Sequence, residues 1–292
     1  MVILAGEPVA QRLLDETQKA HDAFQKTTGR AACLAAIIVG DSPASVLYVR
    51  KKTEKANSLG IESRVFELSS LVRPYELKIL IETLNEDPAI DAILVQRPTH
   101  IPDRDISLWI APHKDVDGFH PLNAGNLALG NPCVTPCTPL GILAMLEHYK
   151  INLSSTCIVG RSPLVGKPLA TLLTSHNATV TLCHSKTQNL KAVTQQADLV
   201  IVAVGHAHLL DRSFFKQDAY VIDVGINHKN GKLQGDVNHD GIEDVVAGIS
   251  PVPGGVGPVT IAALMKNTVL CANLSTQFLR AQTASDISIF DE

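Results

Sequence analysis

Hydrophobic and polar residues alternate in blocks along the first half of the chain, and the blocks have the lengths of strands and helices. Ala31 to Val39 is apolar almost without interruption, which is typical of a strand covered on both faces in a parallel sheet. Pro8 to Thr28 places its apolar residues at helical spacing and predicts an amphipathic helix that ends at Gly29. The same pattern predicts two more strands with a helix between them, in the order 63–68, 74–86 and 89–95.

Strands and helices alternate more regularly after Thr135–Pro139, a proline-rich segment that is the best candidate for a domain boundary. Thr138 can cap a helix that starts at Pro139 and ends near Tyr149. Four strands follow, with helices between them, at 156–160, 165–176, 178–183, 188–197, 198–204, 212–217 and 219–224 in alternating order. This order is typical of a doubly wound α/β domain that binds a nucleotide.

The composition excludes several classes of protein. With 292 residues, 45% of them hydrophobic and 18% charged, the chain is long enough for two globular domains. A net charge of −4 gives no reason to expect nucleic acid or a membrane surface as a partner, and 4% aromatic residues are too few for a base-stacking platform. No apolar stretch approaches the ~20 residues of a membrane span. The six dispersed cysteines suit free thiols in a reducing cytoplasm.

No metal site is predicted from the spacing of candidate ligands. Cys133 and Cys137 lie four residues apart, but no second pair of Cys or His completes a zinc site. Asp236 opens a segment that begins like a calcium loop, yet its twelfth position is Ala247 where a bidentate Glu is needed. We therefore expect a protein without a bound metal.

Two predicted strand-to-helix turns share one pattern, Gly40-Asp41-Ser42-Pro43 and Gly160-Arg161-Ser162-Pro163. In both, Ser can cap the helix and Pro can occupy its first position. Asp41 would repel a phosphate, whereas Arg161 would pair with one, so only the second turn is a credible phosphate site. It matches neither the dinucleotide fingerprint nor a Walker loop, and an ordinary turn between strand and helix is the alternative.

The end of the next predicted strand indicates which cofactor the second domain takes. An NAD-specific domain would place an Asp or Glu there to hold the ribose hydroxyls. This chain has His184-Ser185-Lys186-Thr187 instead, with no acid. An acid would repel a 2′-phosphate, whereas Ser, Lys and Arg161 together would accept one. The pattern therefore favours NADP over NAD.

The helix after Asp41 carries Tyr48 and Lys52 four residues apart, and so on one face. They are either part of a solvated basic helix or an aromatic platform beside an amine, placed where α/β sheets bind ligands. Asp117, in a polar loop, is either a turn residue or a carboxylate that grips an N–H-rich heterocycle. The segment Pro251–Pro258 is either a linker or a rigid loop whose glycines let backbone approach a ligand.

Taken together, these motifs resemble one enzyme family, the bifunctional methylenetetrahydrofolate dehydrogenase/methenyltetrahydrofolate cyclohydrolases. The resemblance covers about residues 1–280 and rests on motifs that occur in order: Val39–Ser45 with Tyr48–Lys52, Leu94–Gln96, Asp115–Phe119, Val159–Ser162, His184–Thr187, Val221–Asn227, Gly235–Val237 and Pro251–Pro258.

The resemblance implies an architecture of two α/β domains around a cleft. The first is a catalytic, folate-binding domain of residues 1–138 and 258–292, to which the last helix returns, and the second is a Rossmann-like NADP-binding domain of residues 139–257. A homodimer is also implied, as is a place in the cytoplasmic one-carbon metabolism that serves purine, methionine and histidine biosynthesis.

The resemblance also implies roles for single residues. Lys52 is the key cyclohydrolase residue, Gln96 supports it, Asp117 holds the pterin and Tyr48 packs on the folate. The positions matched to substrate binding are Tyr48, Lys52, Val95, Gln96, Asp117, Pro253, Gly254, Gly255, Gly257 and Pro258. The positions matched to NADP binding are Gly160, Arg161, Ser162, Ser185 and Ile226.

The implied activity is oxidation of 5,10-methylenetetrahydrofolate by NADP, followed by hydrolysis to 10-formyltetrahydrofolate. Two alternatives stay open at this point: an NADP dehydrogenase of another small substrate, such as a shikimate-like acid, and a non-catalytic NADP sensor. One departure from the family pattern lies beside the site, since Arg97 follows Gln96 where the family usually has Leu. Its charge would either strengthen the grip on an anionic substrate tail or perturb Lys52.

Overall fold

The computed structural model describes residues 1–229 and 232–288, with the side chains of Lys229 and residues 282–288 left out. The chain forms two compact units. The first, here called the six-stranded unit, contains Met1–Leu13, Asn126–Asn131 and Pro136–Ala263; the second, the three-stranded unit, contains Leu14–Gly125, Pro132–Thr135 and the chain from Leu264 onward. Both are α/β, as the hydrophobic pattern predicts.

The three-stranded unit is built on a parallel sheet in the order β3-β2-β4, with β2 (Cys33–Val39) between β3 (Glu62–Leu68) and β4 (Ala92–Gln96). All seven residues of β2 are buried, which is why its sequence is apolar without alternation. The helices that begin and connect this part of the chain are α1 (Glu7–Thr28), α2 (Pro43–Ser58), α3 (Pro74–Glu86), α4 (Asp103–Trp109) and α5 (Pro121–Leu129).

The six-stranded unit has a fully parallel sheet in the order β1-β11-β8-β7-β5-β6. Its strands are β1 (Val2–Ile3), β5 (Ser155–Val159), β6 (Thr179–Cys183), β7 (Leu199–Val202), β8 (Tyr220–Asp223) and β11 (Gly248–Ile249). A separate antiparallel hairpin joins β9 (Asn227–Lys229) and β10 (Lys232–Gln234). Because β6 and β7 flank β5 on opposite sides, the strand order reverses beside β5, the place where doubly wound sheets bind ligands.

The helices that follow α5 in the described chain are α6 (Cys137–His148), α7 (Gly166–Ser175) and α8 (Leu190–Thr194). A last long helix, α9 (Val256–Ser288), belongs to the six-stranded unit up to Ala263 and to the three-stranded unit from Leu264. The predicted return of the last helix to the first domain is therefore present. Its start lies two residues before Pro258, which occupies its first turn.

The units divide the chain differently from the predicted boundaries, since residues 1–13, 126–131, 136–138 and 258–263 group with the six-stranded unit and not with the first domain. Residues 1–13 group with the six-stranded unit although they were assigned to the first domain, because Val2 and Ile3 pair with Gly248 and Ile249. Two predicted helices are shorter than expected. The one near 212–217 is a single 3-10 turn, Arg212–Phe214, and the one at 188–197 begins only after the left-handed residue Asn189.

Candidate functional site

The three-stranded unit brings Lys52 and Gln96 into direct contact. Lys52 lies on α2, which follows β2, and Gln96 is the last residue of the neighbouring strand β4. The Lys52 ammonium donates a hydrogen bond of 2.9 Å to the Gln96 side-chain oxygen. The Gln96 amide nitrogen in turn donates to the Arg97 carbonyl at 2.6 Å, which fixes the orientation of the amide. The Lys52 amine is therefore held in place at the carboxyl ends of the strands.

Tyr48 and Lys52 are both half-buried on the same helix face. The α2 helix is amphipathic only in part, since it buries Ser45, Val49 and Ala56 and exposes Arg50 and Lys51. Tyr48 is thus neither a core residue nor a fully solvated one. This placement agrees with an aromatic platform one helical turn from the amine.

Asp117 lies in the loop that follows the polar segment after α4, and its position is set by an ion pair. The loop turns at Val116–Asp117, and the Gly118 N–H donates to the Asp115 carbonyl at 3.1 Å. The Asp117 carboxylate accepts a hydrogen bond from the Arg97 guanidinium at 3.3 Å. The turn reading and the carboxylate reading of Asp117 are therefore compatible, because it sits in a turn and presents a partly exposed carboxylate.

Asp115, two residues before Asp117, is almost completely buried. Burial is the main cause that raises the pKa of its carboxyl to about 6, against hydrogen bonds from the His120 N–H at 2.7 Å and the Asn123 amide at 3.0 Å. The charge of Asp117 also raises this pKa, while that of Arg97 lowers it. Two carboxylates and one guanidinium thus share a small region of low polarity.

Val95 is the substrate-position residue that the structure places away from any surface. It is 1% exposed and belongs to the hydrophobic core beneath β4, together with Ile37 and Ile93. Side chains alternate along a strand, so Val95 points into the core when Gln96 points out of it. Its side chain therefore packs in the core, and its place in the substrate site stays a prediction.

The turn after β5 is shaped by close backbone packing. Gly160 has φ +126°, and a Cβ there would lie 2.1 Å from the Ala203 carbonyl oxygen at the end of β7. A Cβ on Gly166, the first residue of α7, would lie 1.9 Å from the Gly160 oxygen. Only glycine fits at both positions, so the strand, the turn and the start of α7 are held tightly together.

Ser162 organises the same turn through its hydroxyl. The oxygen accepts hydrogen bonds from the N–H groups of Val165 at 3.1 Å and Gly166 at 3.4 Å. Its O–H can still donate to a phosphate oxygen, because a hydroxyl combines one donor with two acceptor positions. Arg161 beside it is exposed. The turn therefore presents a cation and a hydroxyl at the start of a helix, which suits a phosphate.

A second turn follows β6 at the same edge of the sheet. Strands β5 and β6 are parallel, with Val159 opposite Cys183, so Gly160 and His184 leave the sheet side by side. The turn is closed by the His184 N–H, which donates to the Thr187 hydroxyl at 2.8 Å, and by the Thr187 N–H, which donates to the His184 carbonyl at 2.8 Å. Ser185 and Lys186 are exposed on it. The groups predicted to hold a 2′-phosphate thus lie at one sheet edge.

Two buried carboxylates, Asp223 and Asp236, support the loops at this edge, and sequence reasoning gave neither of them a role. Asp236 accepts hydrogen bonds from three successive N–H groups, those of Val204 at 2.7 Å, Gly205 at 3.0 Å and His206 at 2.8 Å. Its position in turn depends on Asp223, which accepts the Asp236 N–H at 2.9 Å. These bonds hold the loop after β7 beside the Gly160 turn.

A signal for these carboxylates was present in the sequence. Asp223 ends an apolar run, and a glycine lies close to each aspartate in the sequence. A Cβ on Gly225 would lie 2.4 Å from the Asp236 carboxylate, and one on Gly235 would lie 1.8 Å from the Asp223 carboxylate. Ile226 follows Gly225 and is 47% exposed. An exposed isoleucine at a ligand-binding edge suits contact with a flat ring. The chain's own groups therefore fit a dinucleotide with a phosphate on its ribose.

The Pro251–Pro258 segment is a turn followed by the start of α9, within the six-stranded unit. It is fastened by the Gly6 N–H, which donates to the Gly254 carbonyl at 2.7 Å. A Cβ on Gly255 would lie 2.5 Å from the Pro251 oxygen, whereas Gly257 has no atom within 4 Å of the same point. Pro253 and Gly254 are exposed, and Pro258 is half-buried. The segment is therefore a rigid loop with an accessible backbone and not a loose linker.

The described residues contain neither a metal-binding cluster nor a membrane-spanning helix. Across 1–229 and 232–288, no three His, Cys, Asp or Glu side chains are grouped so that they could hold a metal ion. In the part of the chain that the structure describes, no helix has the length and apolar character that crossing a membrane requires.

Comparison with known proteins relates both units to one family. Residues 4–117 match the model of the tetrahydrofolate dehydrogenase/cyclohydrolase catalytic domain, and residues 136–276 match that of the tetrahydrofolate dehydrogenase/cyclohydrolase NAD(P)-binding domain. A relative from Brevibacillus brevis, named bifunctional protein FolD, is 45% identical over 276 residues, which are 92% of this chain and 96% of the relative.

Solved structures show the same relationship. The bifunctional FolD methylenetetrahydrofolate dehydrogenase/cyclohydrolase of Campylobacter jejuni is 43% identical, with a TM-score of 0.89 over 94% of this chain and 99% of that one. The N5,N10-methylenetetrahydrofolate dehydrogenase-cyclohydrolase of Trypanosoma brucei, solved with NADP cofactor and inhibitor, is 34% identical, with a TM-score of 0.89 over 94% and 98% of the two chains.

Proposed function

Because the chain belongs to the tetrahydrofolate dehydrogenase/cyclohydrolase family, we propose that it catalyses two consecutive reactions on a folate. The first oxidises 5,10-methylenetetrahydrofolate to 5,10-methenyltetrahydrofolate with NADP. The second hydrolyses that product to 10-formyltetrahydrofolate. The single observation that carries the proposal is the hydrogen bond between Lys52 and Gln96 at the edge of the three-stranded sheet.

The dehydrogenase step requires positioning more than proton transfer. The methylene carbon lies between two nitrogens, and a nitrogen lone pair stabilises the cation left when hydride departs. NADP, when bound, supplies the hydride acceptor. The protein therefore needs only to hold the reacting carbons at contact distance, and no general base is required. Tyr48 supplies a ring on which the folate packs, and Asp117 accepts N–H groups of the pterin.

The cyclohydrolase step requires a group that moves a proton. Water adds to the methenyl carbon, and one nitrogen must then leave with a proton as the ring opens. Lys52 is the candidate, since it is the amine that the sheet edge holds in place. Gln96 fixes the Lys52 head group, and the Arg97 carbonyl fixes Gln96. We therefore propose a chemical role for Lys52 and a positioning role for Gln96.

NADP is held by the turns after β5 and β6. We assign Arg161 and Ser185 to the 2′-phosphate, Ser162 to a phosphate oxygen, Gly160 to the close approach of backbone and Ile226 to the face of a ring. Lys186 lies beside Ser185 and adds a positive charge at the same place. The remaining substrate-position residues, Pro253, Gly254, Gly255, Gly257 and Pro258, are proposed to line the folate site.

The proposed function is tested by mixing the protein with 5,10-methylenetetrahydrofolate and NADP, and following NADPH and methenyltetrahydrofolate by their absorbance. NADPH should form at a rate proportional to the protein, and 10-formyltetrahydrofolate should accumulate faster than in a sample without protein. With NAD in place of NADP the rate should fall by at least about tenfold, because the 2′-phosphate contacts are missing. Absence of NADPH formation would overturn the proposal.

A homodimer is proposed through the exposed edge of the six-stranded sheet. β6 is the last strand in the sheet order, and Val180 and Leu182 on it are half-buried beside a surface groove that also contains Thr171 and Thr174 of α7. An edge strand with apolar side chains is a ready surface for pairing. Light scattering behind a sizing column should give twice the chain mass of 31.3 kDa, and the single mass would contradict the proposal.

We also propose that the protein works in the cytoplasm. None of the six cysteines, all of which the structure describes, forms a disulfide, and the sulfurs of Cys157 and Cys183 lie 3.7 Å apart in a thiol hydrogen bond. Burial raises the pKa of Cys33 to about 11, so its thiol stays protonated. A fluorescent fusion should fill the cytoplasm, and export from it would contradict this proposal.

A further inference from the structure

Arg97 has three partners in the three-stranded unit, although it departs from the family pattern. Its Nε donates to Asp103 on α4 at 2.6 Å, and its Nη1 donates to Asp117 at 3.3 Å. Its guanidinium also lies 4.8 Å from the centre of the Phe119 ring. The side chain is only 16% exposed. Arg97 is therefore a fixed part of the loop and not a cation that reaches into solvent.

This arrangement argues against a direct grip on an anionic substrate tail. The positive charge is already opposed by two carboxylates, and the flat faces of the guanidinium are covered on one side by Phe119. An incoming carboxylate would have to displace Asp103 or Asp117 and add a third negative charge. Ion pairs with this geometry are costly to break when they are partly desolvated.

The carboxylates around Arg97 come from two elements. Asp103 belongs to α4, while Asp115 and Asp117 lie two residues apart in the loop before α5. Like charges this close favour protonation of one of them. Burial raises the pKa of Asp115 to about 6, and Arg97 is the cation that opposes this rise. Without Arg97, the negative charge of the loop would have no counterion at its centre.

We propose that Arg97 is a positioning residue for the folate, which orients the Asp117 carboxylate toward the pterin. The ion pair uses the Asp117 Oδ2, so the Oδ1 is the oxygen that is aimed at a ring N–H. The inference rests on the proposed function, because it assigns Asp117 to the substrate. The backbone of the same residue positions Gln96, so Arg97 links the carboxylate that binds the pterin to the Lys52 pair.

The test compares four variants in the full-length protein, with NADP saturating and methylenetetrahydrofolate varied. Arg97→Leu should raise the KM for the folate about tenfold, the size expected for losing one charge-assisted hydrogen bond. The kcat and the KM for NADP should change less than twofold. Arg97→Lys keeps the charge but not the planar fork, and should raise the folate KM about threefold. Asp103→Asn should have an effect below about twofold, because the pair with Asp117 remains.

Arg104→Leu is the matched control, since Arg104 is an exposed arginine on the same helix as Asp103. It should leave the folate KM unchanged. The acid limb of the pH profile of kcat/KM should move to higher pH in Arg97→Leu, because the charge of Arg97 lowers the pKa of the Asp115 carboxyl, two residues from Asp117, and that pKa rises further without it. A role in folding alone would leave that limb in place.

Unchanged folate KM values in both Arg97 variants would overturn the inference, as would an acid limb that stays at the wild-type pH. If Arg97→Leu gives no folded protein by circular dichroism, Arg97→Lys decides the question in the same way. Failure of the proposed function is a separate result, because wild-type protein would then form no NADPH in the first place.

Discussion

The turns Gly40-Asp41-Ser42-Pro43 and Gly160-Arg161-Ser162-Pro163 share a sequence pattern, but they are built and used differently. Each follows a strand of a parallel sheet, and each begins with a glycine of positive φ, +83° at Gly40 and +126° at Gly160. At Gly160 the neighbouring backbone leaves no room for a Cβ, whereas at Gly40 the nearest atom would be the Ser70 Cβ at an ordinary 3.4 Å. The second turn is thus packed against its surroundings and the first is not.

The serines differ in the same direction. Ser162 accepts two backbone N–H groups, while Ser42 stands at the N-cap of α2 and makes no capping hydrogen bond with its side chain. The α2 helix begins at once with Pro43, but α7 begins only at Gly166, after an extra turn. By our proposal, the Gly160 turn presents its backbone and Arg161 to NADP. The Gly40 turn precedes the helix that carries Tyr48 and Lys52, the residues proposed to act on the folate.

A shared motif therefore does not imply a shared function. The two turns differ in the charge of the residue after the glycine, Asp41 or Arg161, and in whether neighbouring backbone encloses the turn. Substitutions at the two glycines should test this difference most strongly.

Gly160→Ala should be the most damaging change. It adds a Cβ at 2.1 Å from the Ala203 oxygen in a backbone conformation that L residues rarely adopt, and we expect a loss of about 3–5 kcal/mol in the free energy of unfolding. Gly40→Ala meets only the conformational cost and should lose about 1–2 kcal/mol. Urea denaturation measures both. Equal losses would mean that the two turns are not packed differently.

Exchange of the charge after the glycine, at Arg161 and Asp41, should have the next largest effect. Arg161→Asp should weaken NADP binding about 100-fold, because it replaces a phosphate partner by a repelling charge. Asp41→Arg, the reverse change in the other turn, should alter NADP affinity by less than twofold. Calorimetric titration with NADP decides this, and a weak effect of Arg161→Asp would remove Arg161 from the cofactor site. Affinity for NAD should fall less than affinity for NADP if Arg161 holds the 2′-phosphate.

The serines should give the smallest difference. Ser162→Ala removes the acceptor for two N–H groups and should cost about 1 kcal/mol of stability, while Ser42→Ala should cost only a few tenths. Thermal melts of the two variants, run side by side, measure the contrast. Similar losses would show that the capping bonds of Ser162 contribute little.

Much of this architecture is predictable because it is written in local patterns. The helix Pro74–Glu86 has the predicted bounds, and the strands β2, β3, β5 and β6 differ from prediction by no more than two residues at either end. Their apolar runs are long and are bounded by glycine or polar residues. The strand-to-helix turn at Gly160 was also predictable from its residue types, whereas its contact with a phosphate stays a prediction.

Other features depend on contacts distant in sequence and left no local signal. β1 has only two residues, both exposed, and exists because β11 lies beside it, about 246 residues later in the chain. Arg97 could be recognised as a departure, but its pairing with Asp103 and Asp117 depends on how α4 and the following loop fold back. Val95 is a substrate position only by resemblance, and the structure adds that its side chain is buried on the face of β4 opposite Gln96.

The central claim is that the helix after the Gly40 turn carries the amine for hydrolysis, Lys52, and that this amine is separate from the NADP site at the Gly160 turn. Lys52→Met should form NADPH from methylenetetrahydrofolate within about threefold of the wild-type rate and accumulate methenyltetrahydrofolate, with enzymatic hydrolysis reduced by about 10²–10⁴-fold. Lys51→Met, at the exposed neighbouring lysine, should leave both rates unchanged. Hydrolysis at the wild-type rate in Lys52→Met would contradict the account.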